Sequence, residues 1–301
     1  MLKTVIIIAG PTAVGKTDVA FALAKHFSTQ IISADSRQCY KELDIGVAKP
    51  SPIQLDMVRH YFVNSHSIQD KVTAAMFEDY ALKSVAQIFA TNDVAIVTGG
   101  TGLYLNAFCN GLDAIPSIKP SLRQEQLLAY QTNGIGWLQN EIKINDPLYA
   151  EKGNNENPQR MLRALEVVMT TGRSILSFHS NKKNIRDFNI IKIALHLPRP
   201  VLYAKINQRV DAMMDAGLAQ EVAALLPFRH LNALQTVGYK ELFAMLNGGI
   251  DLPAAIGLIK QNTRHYSKRQ ITWFNNEGGY QNISPSEIKA LLGYIYLQLK
   301  L

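Results

Sequence analysis

Gly10-Pro11-Thr12-Ala13-Val14-Gly15-Lys16-Thr17 fits the pattern G-x-x-x-x-G-K-[ST] at every fixed position. This spacing builds an anion cradle. Glycines let backbone N–H groups turn inward around a phosphate, and the helix that follows adds partial positive charge at its N-terminus. Lys16 is suited to neutralising phosphate oxygens, and the Thr17 hydroxyl to holding Mg²⁺. The motif specifies a polyphosphate or pyrophosphate, not ATP hydrolysis. A second reactive group is Asp35, which closes the apolar run Ile31-Ile32-Ser33-Ala34. P-loop NTPases ordinarily carry a metal-binding Asp at the end of a later core strand. Here the apolar run 94–97 ends in Thr98-Gly99-Gly100, with no acid. Three uses of Asp35 stand open: metal support, a base toward an acceptor, or the cap of a turn.

The surrounding elements must place these groups together. Residues 5–9, 30–34, 59–63 and 94–97 read as strands, and 17–27 and 73–90 as amphipathic helices. Strands alternating with helices predict an α/β fold, a P-loop NTPase-like parallel sheet with flanking helices. Ligands in such sheets sit beyond the C-terminal strand ends, where both chemical groups fall. From 116 to 187 the pattern is helical, broken by Gly134, Gly136, Pro147 and Asn154-Asn155. Residues 188–197 read as strand again, and the chain after Pro200 as helix to the end. The expected organisation is a core of 1–115 and 188–301 around a helical insert of 116–187.

A 47% hydrophobic, 18% charged composition fits a soluble globular protein with a real core. The net charge of +7 suits an anionic partner without naming one. Cys39 and Cys109 form no C-x-x-C pair, which argues against a disulfide framework or a zinc module. The histidines show no metal-ligand spacing. The apolar run 5–9 is too short to span a membrane and leads into Gly10 rather than a cleavage site, so a cytoplasmic protein is expected. Residues 158–215 hold ten Lys/Arg against four Asp/Glu, among them Arg160, Arg163, Lys182, Lys183 and Arg209. Lys260, Arg264 and Lys268 share one helix face. Such runs serve a polyanion groove or merely a solvated surface. Tyr239, Tyr266 and Trp273 are stacking candidates, with Trp273 better suited to the core.

Ordered blocks along the chain resemble the tRNA dimethylallyltransferase (isopentenyltransferase) family, bacterial type. They are the P-loop; Ile32-Ser33-Ala34-Asp35-Ser36-Arg37-Gln38-Cys39-Tyr40; Leu43-Asp44-Ile45-Gly46-Val47-Ala48-Lys49-Pro50; Gly99-Gly100-Thr101-Gly102-Leu103-Tyr104; Asn157-Pro158-Gln159-Arg160-Met161-Leu162-Arg163; Val237-Gly238-Tyr239-Lys240-Glu241; and the stretch from Thr263 through Gln270 to Phe274. The resemblance implies transfer of a dimethylallyl group from dimethylallyl diphosphate to N6 of adenine 37, beside the tRNA anticodon, with Mg²⁺ as cofactor and a monomer as the working unit. It implies diphosphate binding by Gly10 through Thr17 and by Arg209, and catalysis by Asp35, Lys16 and Thr17. Thr17 is the implied metal ligand, with Asp35 as a second candidate. The implied tRNA-anticodon-loop contacts are Asp35, Ser36, Arg37, Gln38, Thr101, Arg123, Gln159, Arg160, Met161, Leu162, Arg163, Gln235, Thr236, Val237, Gly238, Tyr239 and Lys240. Alignment with the family blocks favours the polyanion reading of the basic runs. The chain departs from the family at Asn157 and Asn64, where Asp is frequent, and at Lys205, where Arg is usual. Two rivals share parts of the pattern: a small P-loop kinase using the same cradle and Asp35 as base toward a hydroxyl, and an RNA-binding switch that uses nucleotide only to change shape.

Overall fold

The structure is a computed structural model that describes residues 2–180 and 184–300; Lys182 and Lys183 of the basic stretch lie outside the described residues. Thr4–Ala9 (β1) is an unbroken run of β-branched and small residues, buried at every position. Burial on both faces is the signature of a central strand in a parallel sheet. The pleat sends Val5, Ile7 and Ala9 to one core cluster and Ile6 and Ile8 to the other. The remaining described strands are Ile31–Ser33 (β2), His60–Tyr61 (β3), Val94–Gly99 (β4), Asn189–Leu195 (β5) and Gln281–Ile283 (β6). They pair in the order β3-β2-β4-β1-β5-β6, all parallel.

Helices cover both faces. Lys16–His26 (α1) lies on one face and packs Val19, Ala20 and Leu23 against the sheet. The short Pro52–Met57 (α2) precedes β3. Ala74–Phe89 (α3) and Gly102–Asn110 (α4) cover the other face through Phe77, Ala81, Val85, Leu105 and Phe108.

In register, Ala9 of β1 sits between Gly99 of β4 and Ala194 of β5, and Ser33 of β2 pairs with Thr98 of β4. The chain leaving β1, β2 and β4 therefore emerges at one level, which brings residues 10–17, 35–38 and 99–101 to one edge. Gly99 is obligatory there: a Cβ on it would lie 2.2 Å from the Ala34 carbonyl oxygen.

The chain divides into two compact units. One runs to Asn110 and resumes at Ile185; the other is Gly111–Asn184, against the expected limits of 116–187. Each closes its own chain ends. In the first, Arg186 donates to the carbonyls of Ala107 and Phe108 and pairs with Glu78 at 2.7 Å. In the second, the Asp113 carboxylate accepts from the Ser180 backbone and hydroxyl, and Gly111 abuts Asn184.

The insert is helical: Pro120–Asn145 (α5), broken at Gly134 (φ 75°), then Pro147–Lys152 (α6) and Pro158–Thr171 (α7). Asn157 caps α7 by accepting from the Arg160 N–H at 3.1 Å, with Pro158 at the first helical position. Asn caps as well as Asp, so the departure at this position leaves the helix start intact.

The expectation of helix from Pro200 onward holds for Arg199–Asp215 (α8), Leu218–Ala224 (α9), Tyr239–Leu246 (α10), Leu252–Glu277 (α11) and Ile288–Leu299 (α12), but not for β6. That strand is three residues long with only Ile283 buried, too short for a period-2 signal. Among the described residues no helix is long and apolar enough to cross a membrane.

Gly99→Ala should destabilise the protein by about 2 kcal/mol or more, because the obstacle is backbone of a neighbouring strand and cannot rotate away. Urea denaturation at equal m-value checks this; unchanged stability would mean that β2 and β4 can separate at their ends.

Candidate active site at the P-loop

The cradle needs three left-handed backbones. Gly10 (φ 141°), Ala13 (φ 63°) and Gly15 (φ 103°) turn the loop, and a Cβ at Gly10 would meet the Leu195 carbonyl at 2.7 Å. Gly15 occupies the N-cap of α1, and no side chain caps that helix. Its first N–H groups and its dipole therefore face the loop as an anion site. Beside it lies a cavity of about 80 Å³, lined by Thr12, Lys16, Thr17, Ser33, Asp35, Gln38, Val47, Thr98, Gly99, Arg209, Tyr266 and Gln270.

The site's electrostatics favour an anion. Lys16 donates from Nζ to the Pro11 carbonyl at 2.8 Å. Burial lowers its pKa to about 8; Asp35 opposes that fall and Arg209 adds to it. Arg209, from α8, reaches Thr12 Oγ1 at 3.5 Å, and burial lowers its pKa too, against the pull of Asp35 and Asp18. Two half-buried cations thus share Asp35, with Asp18 a further acid acting on Arg209.

Asp35 fills one of its three expected uses and leaves an oxygen for either of the others. Its Oδ1 accepts from the N–H of Arg37 at 2.9 Å and of Gln38 at 3.4 Å, the geometry of an Asx turn. No described residue bonds Oδ2, and the residue lines the cavity. One oxygen holds the turn while the other remains for a proton or a metal. Thr101 Oγ1 accepts from the Ser36 N–H at 3.1 Å and is bonded to the Tyr266 hydroxyl, whose pKa burial raises to about 12. Gln38 accepts from Ser33 Oγ and donates to the carbonyls of Val47 and Ala48.

Thr12, Lys16, Thr17, Asp35, Gln38 and Arg209 therefore line one cavity, and Thr101 is bonded to the turn beside it. Arg37 also donates to the Asn232 carbonyl at 3.2 Å, which brings the 235–240 block alongside. Within that block Gln235 and Lys240 are exposed, and Thr236 and Val237 half-buried. Gly238 and Tyr239 are buried, and the Tyr239 hydroxyl donates to Glu221. This overturns the reading of Tyr239 as a stacking residue: its ring packs under Gly46, where a Cβ would lie 2.6 Å away.

Met161 is fully buried in the insert core, and Leu162, nearly so, also lines an open cavity beside Gln159. Gln159 and Arg160 are exposed, whereas Arg123 and Arg163 are paired with Glu166. The basic row on α11 is partly spent internally, because Lys260 pairs with Asp211 at 2.6 Å and Arg264 donates to Asn207 at 2.8 Å. Trp273 packs over Gly102, in keeping with a core role. Lys205 is exposed and does not line the cavity.

The comparisons with known proteins decide the family. A family model described as IPP transferase matches residues 38–277. A tRNA dimethylallyltransferase of Flavobacterium johnsoniae is 44% identical over 99% of both chains, and tRNA dimethylallyltransferase 1 of Bacteroides thetaiotaomicron is 43% identical over 99% of this chain and 96% of its own. The chain belongs to the IPP transferase family. Among solved structures, the full-length tRNA isopentenylpyrophosphate transferase of Bacillus halodurans superposes with a TM-score of 0.73 at 32% identity, over 99% of this chain and 97% of that one. A eukaryotic dimethylallyltransferase acting on tRNA gives 0.77 at 26% identity, over 93% and 73%.

Against the IPP transferase blocks, sequence reasoning missed two residues that build the site. Gln270 lies inside the 263–274 block, where the charges and the aromatic residues drew notice. Its Oε1 accepts from the Thr12 N–H at 2.8 Å and its Nε2 donates to the Gly100 carbonyl at 2.9 Å, so it ties the P-loop to the β4 exit. Glu221, on α9, accepts from the N–H groups of Asp44, Ile45 and Gly46. It belongs to no motif, and nothing in its sequence neighbourhood marks it.

For Mg²⁺, the donors on the cavity wall suit a hard cation: the Thr17 hydroxyl and the Asp35 carboxylate. Mg²⁺ usually takes one or two protein oxygens and fills its octahedron with phosphate and water.

Because folding lowers the Lys16 pKa from 10.5 to about 8, it disfavours the charged form. The resulting destabilisation is full below about pH 8 and disappears as pH rises past 10.5. Lys16→Met should raise the melting temperature of the ligand-free protein at pH 7, by about 2–4 °C for each kcal/mol relieved. It should also abolish the further stabilisation by pyrophosphate and Mg²⁺. Differential scanning fluorimetry with and without pyrophosphate reads both; a variant that melts lower yet still responds to pyrophosphate would remove Lys16 from the cradle.

Proposed function

We propose that this enzyme transfers the dimethylallyl group of dimethylallyl diphosphate to N6 of adenine 37 in tRNA and releases diphosphate. The observation that carries the reading is the single cavity shared by an uncapped P-loop helix and the unpartnered oxygen of Asp35. The exocyclic amine of adenine is a weak nucleophile, because its lone pair is delocalised into the ring. Asp35 Oδ2 withdraws the N6 proton as the bond from N6 to the first allylic carbon forms, a contribution typically of about 10²- to 10⁴-fold. The carbon–oxygen bond breaks at the same carbon, and its electron pair leaves on the diphosphate.

The P-loop N–H groups, Lys16 and Arg209 face that developing charge. Mg²⁺, held by the Thr17 hydroxyl, would supply further charge neutralisation to the leaving group. Adenine stacked in a loop is out of reach, so it must flip out, at a cost of a few kcal/mol. The turn Asp35–Gln38, with Thr101 bonded behind it, forms the wall where the base enters. The tRNA assignment draws on the relatives' named substrate and on the exposed Gln159, Arg160, Gln235 and Lys240. A kinase would use the same cradle and base, but relatives similar along the whole chain are named for action on tRNA.

Asp35→Asn keeps the Oδ1 acceptor of the turn but cannot take a proton at neutral pH. Single-turnover transfer with both substrates saturating should fall by about 10²-fold or more, with both affinities within a few fold. Recovery of most of the rate in excess Mg²⁺ would assign Asp35 to the metal instead, and a near wild-type rate would remove it from the chemistry.

Arg160→Ala should weaken tRNA binding and shallow the slope of log K against log salt by about one unit, with the KM for dimethylallyl diphosphate unchanged. Binding that ignores both the substitution and salt would return Arg160 to the solvated surface.

A further inference from the structure

The insert contains a buried acid of its own. Glu166, on α7, is 5% exposed and serves two arginines. Arg123, on α5, closes on it with two parallel bonds, Nε to Oε1 at 2.9 Å and NH2 to Oε2 at 3.0 Å. Arg163, one turn earlier on α7, donates from NH1 to Oε2 at 3.3 Å. The acid lies inside, whereas the arginine side chains keep 43% and 33% of their surface. The triad therefore presents a net single positive charge outward.

Structural closure alone does not account for it. One arginine satisfies a buried carboxylate, and a well-packed apolar residue often serves stability as well as an ion pair does. The second arginine adds like-charge repulsion at the same spot. What the arrangement supplies is orientation. Arg123 keeps NH1 free of described partners, and Arg163 keeps Nε and NH2. Both guanidinium planes are fixed through the same carboxylate. A planar fork held in place matches phosphate oxygens at a set position, whereas mobile cations attract any polyanion.

We infer that Glu166 is a positioning residue that sets Arg123 and Arg163 for the sugar–phosphate backbone of tRNA, gaining discrimination between RNA shapes at some loss of raw affinity. The inference rests on tRNA being the substrate. Removing the negative charge frees both arginines and raises the local charge. Glu166→Gln is then expected to bind RNA of the wrong shape more tightly, an effect that a merely structural role does not produce.

The test compares wild type, Glu166→Gln and Arg123→Lys. Filter binding is measured for unmodified substrate tRNA and for oligouridylate of the same length across a KCl series, alongside KM for tRNA and for dimethylallyl diphosphate. Glu166→Gln should bind oligouridylate about 3- to 10-fold tighter, with a salt slope steeper by up to one, and its preference for tRNA should fall about 10-fold. Its KM for tRNA should rise while that for dimethylallyl diphosphate stays. Arg123→Lys keeps the charge at an exposed position but loses the fork, so it should lose preference for tRNA several-fold without gaining affinity for oligouridylate. If circular dichroism shows that Glu166→Gln unfolds the insert, Arg123→Lys alone decides. An unchanged preference in the folded variants overturns the role of Glu166. A wild type with no preference for tRNA and no transfer to it overturns the substrate assignment itself, and the inference falls with it.

Discussion

Lys16 and Arg209 are brought into a poorly solvated pocket with Asp35 the acid that faces both, and the rest of the site is arranged around that imbalance. Local bonds hold the two cations: Lys16 to the Pro11 carbonyl, and Arg209 to the Thr12 hydroxyl. These are weak substitutes for an anion. A diphosphate brings the missing negative charge to a place where the helix dipole and loop N–H groups are already aligned, so little reorganisation accompanies its arrival. Asp35 then faces a site whose charge is balanced by substrate, and its free oxygen is left for the acceptor.

The hydrogen-bond frame keeps this arrangement from collapsing. Gln270 joins the P-loop to the β4 exit, Thr101 joins that exit to the turn after β2, and Gln38 joins the turn to residues 47–48. Glu221 and Tyr239 then hold residues 44–46 from behind. Each link is a neutral side chain or a carboxylate accepting hydrogen bonds, and those of Gln270, Thr101 and Glu221 to residues 44–46 span segments far apart in sequence. The parallel register sets the level of the strand exits, and these bonds set the distances between them.

Much of this was legible before the structure. The P-loop is a local pattern, so its strand, turn and helix follow from eight consecutive residues. The buried strands β1 and β4 announce themselves by unbroken apolar runs, and α7 by its cap and Pro158. The position of Asp35 at a strand end was also readable, because strand ends in a parallel sheet meet at one edge. Non-local geometry was not. Glu221 works through a turn more than 170 residues away in sequence, and no composition around it hints at that partner. Tyr239 sits in a block read for RNA contact, yet its burial depends on Gly46, which belongs to another block. Met161 and Leu162 show the same limit: a motif ties residues to a function without saying which of them face the ligand and which hold the helix that presents it. The strand β6 escaped because three residues carry no period.

Each compact unit fastens its own chain ends: Arg186 to Ala107 and Phe108 on the core side, Asp113 to Ser180 on the insert side. The cost of closing each unit is thus met within it, and long excursions between fixed points add little entropy. A segment entering and leaving at neighbouring points can be lengthened, shortened or exchanged without refolding the sheet. Descendants of such a chain can therefore reshape the inserted helices while inheriting the P-loop edge of the sheet untouched.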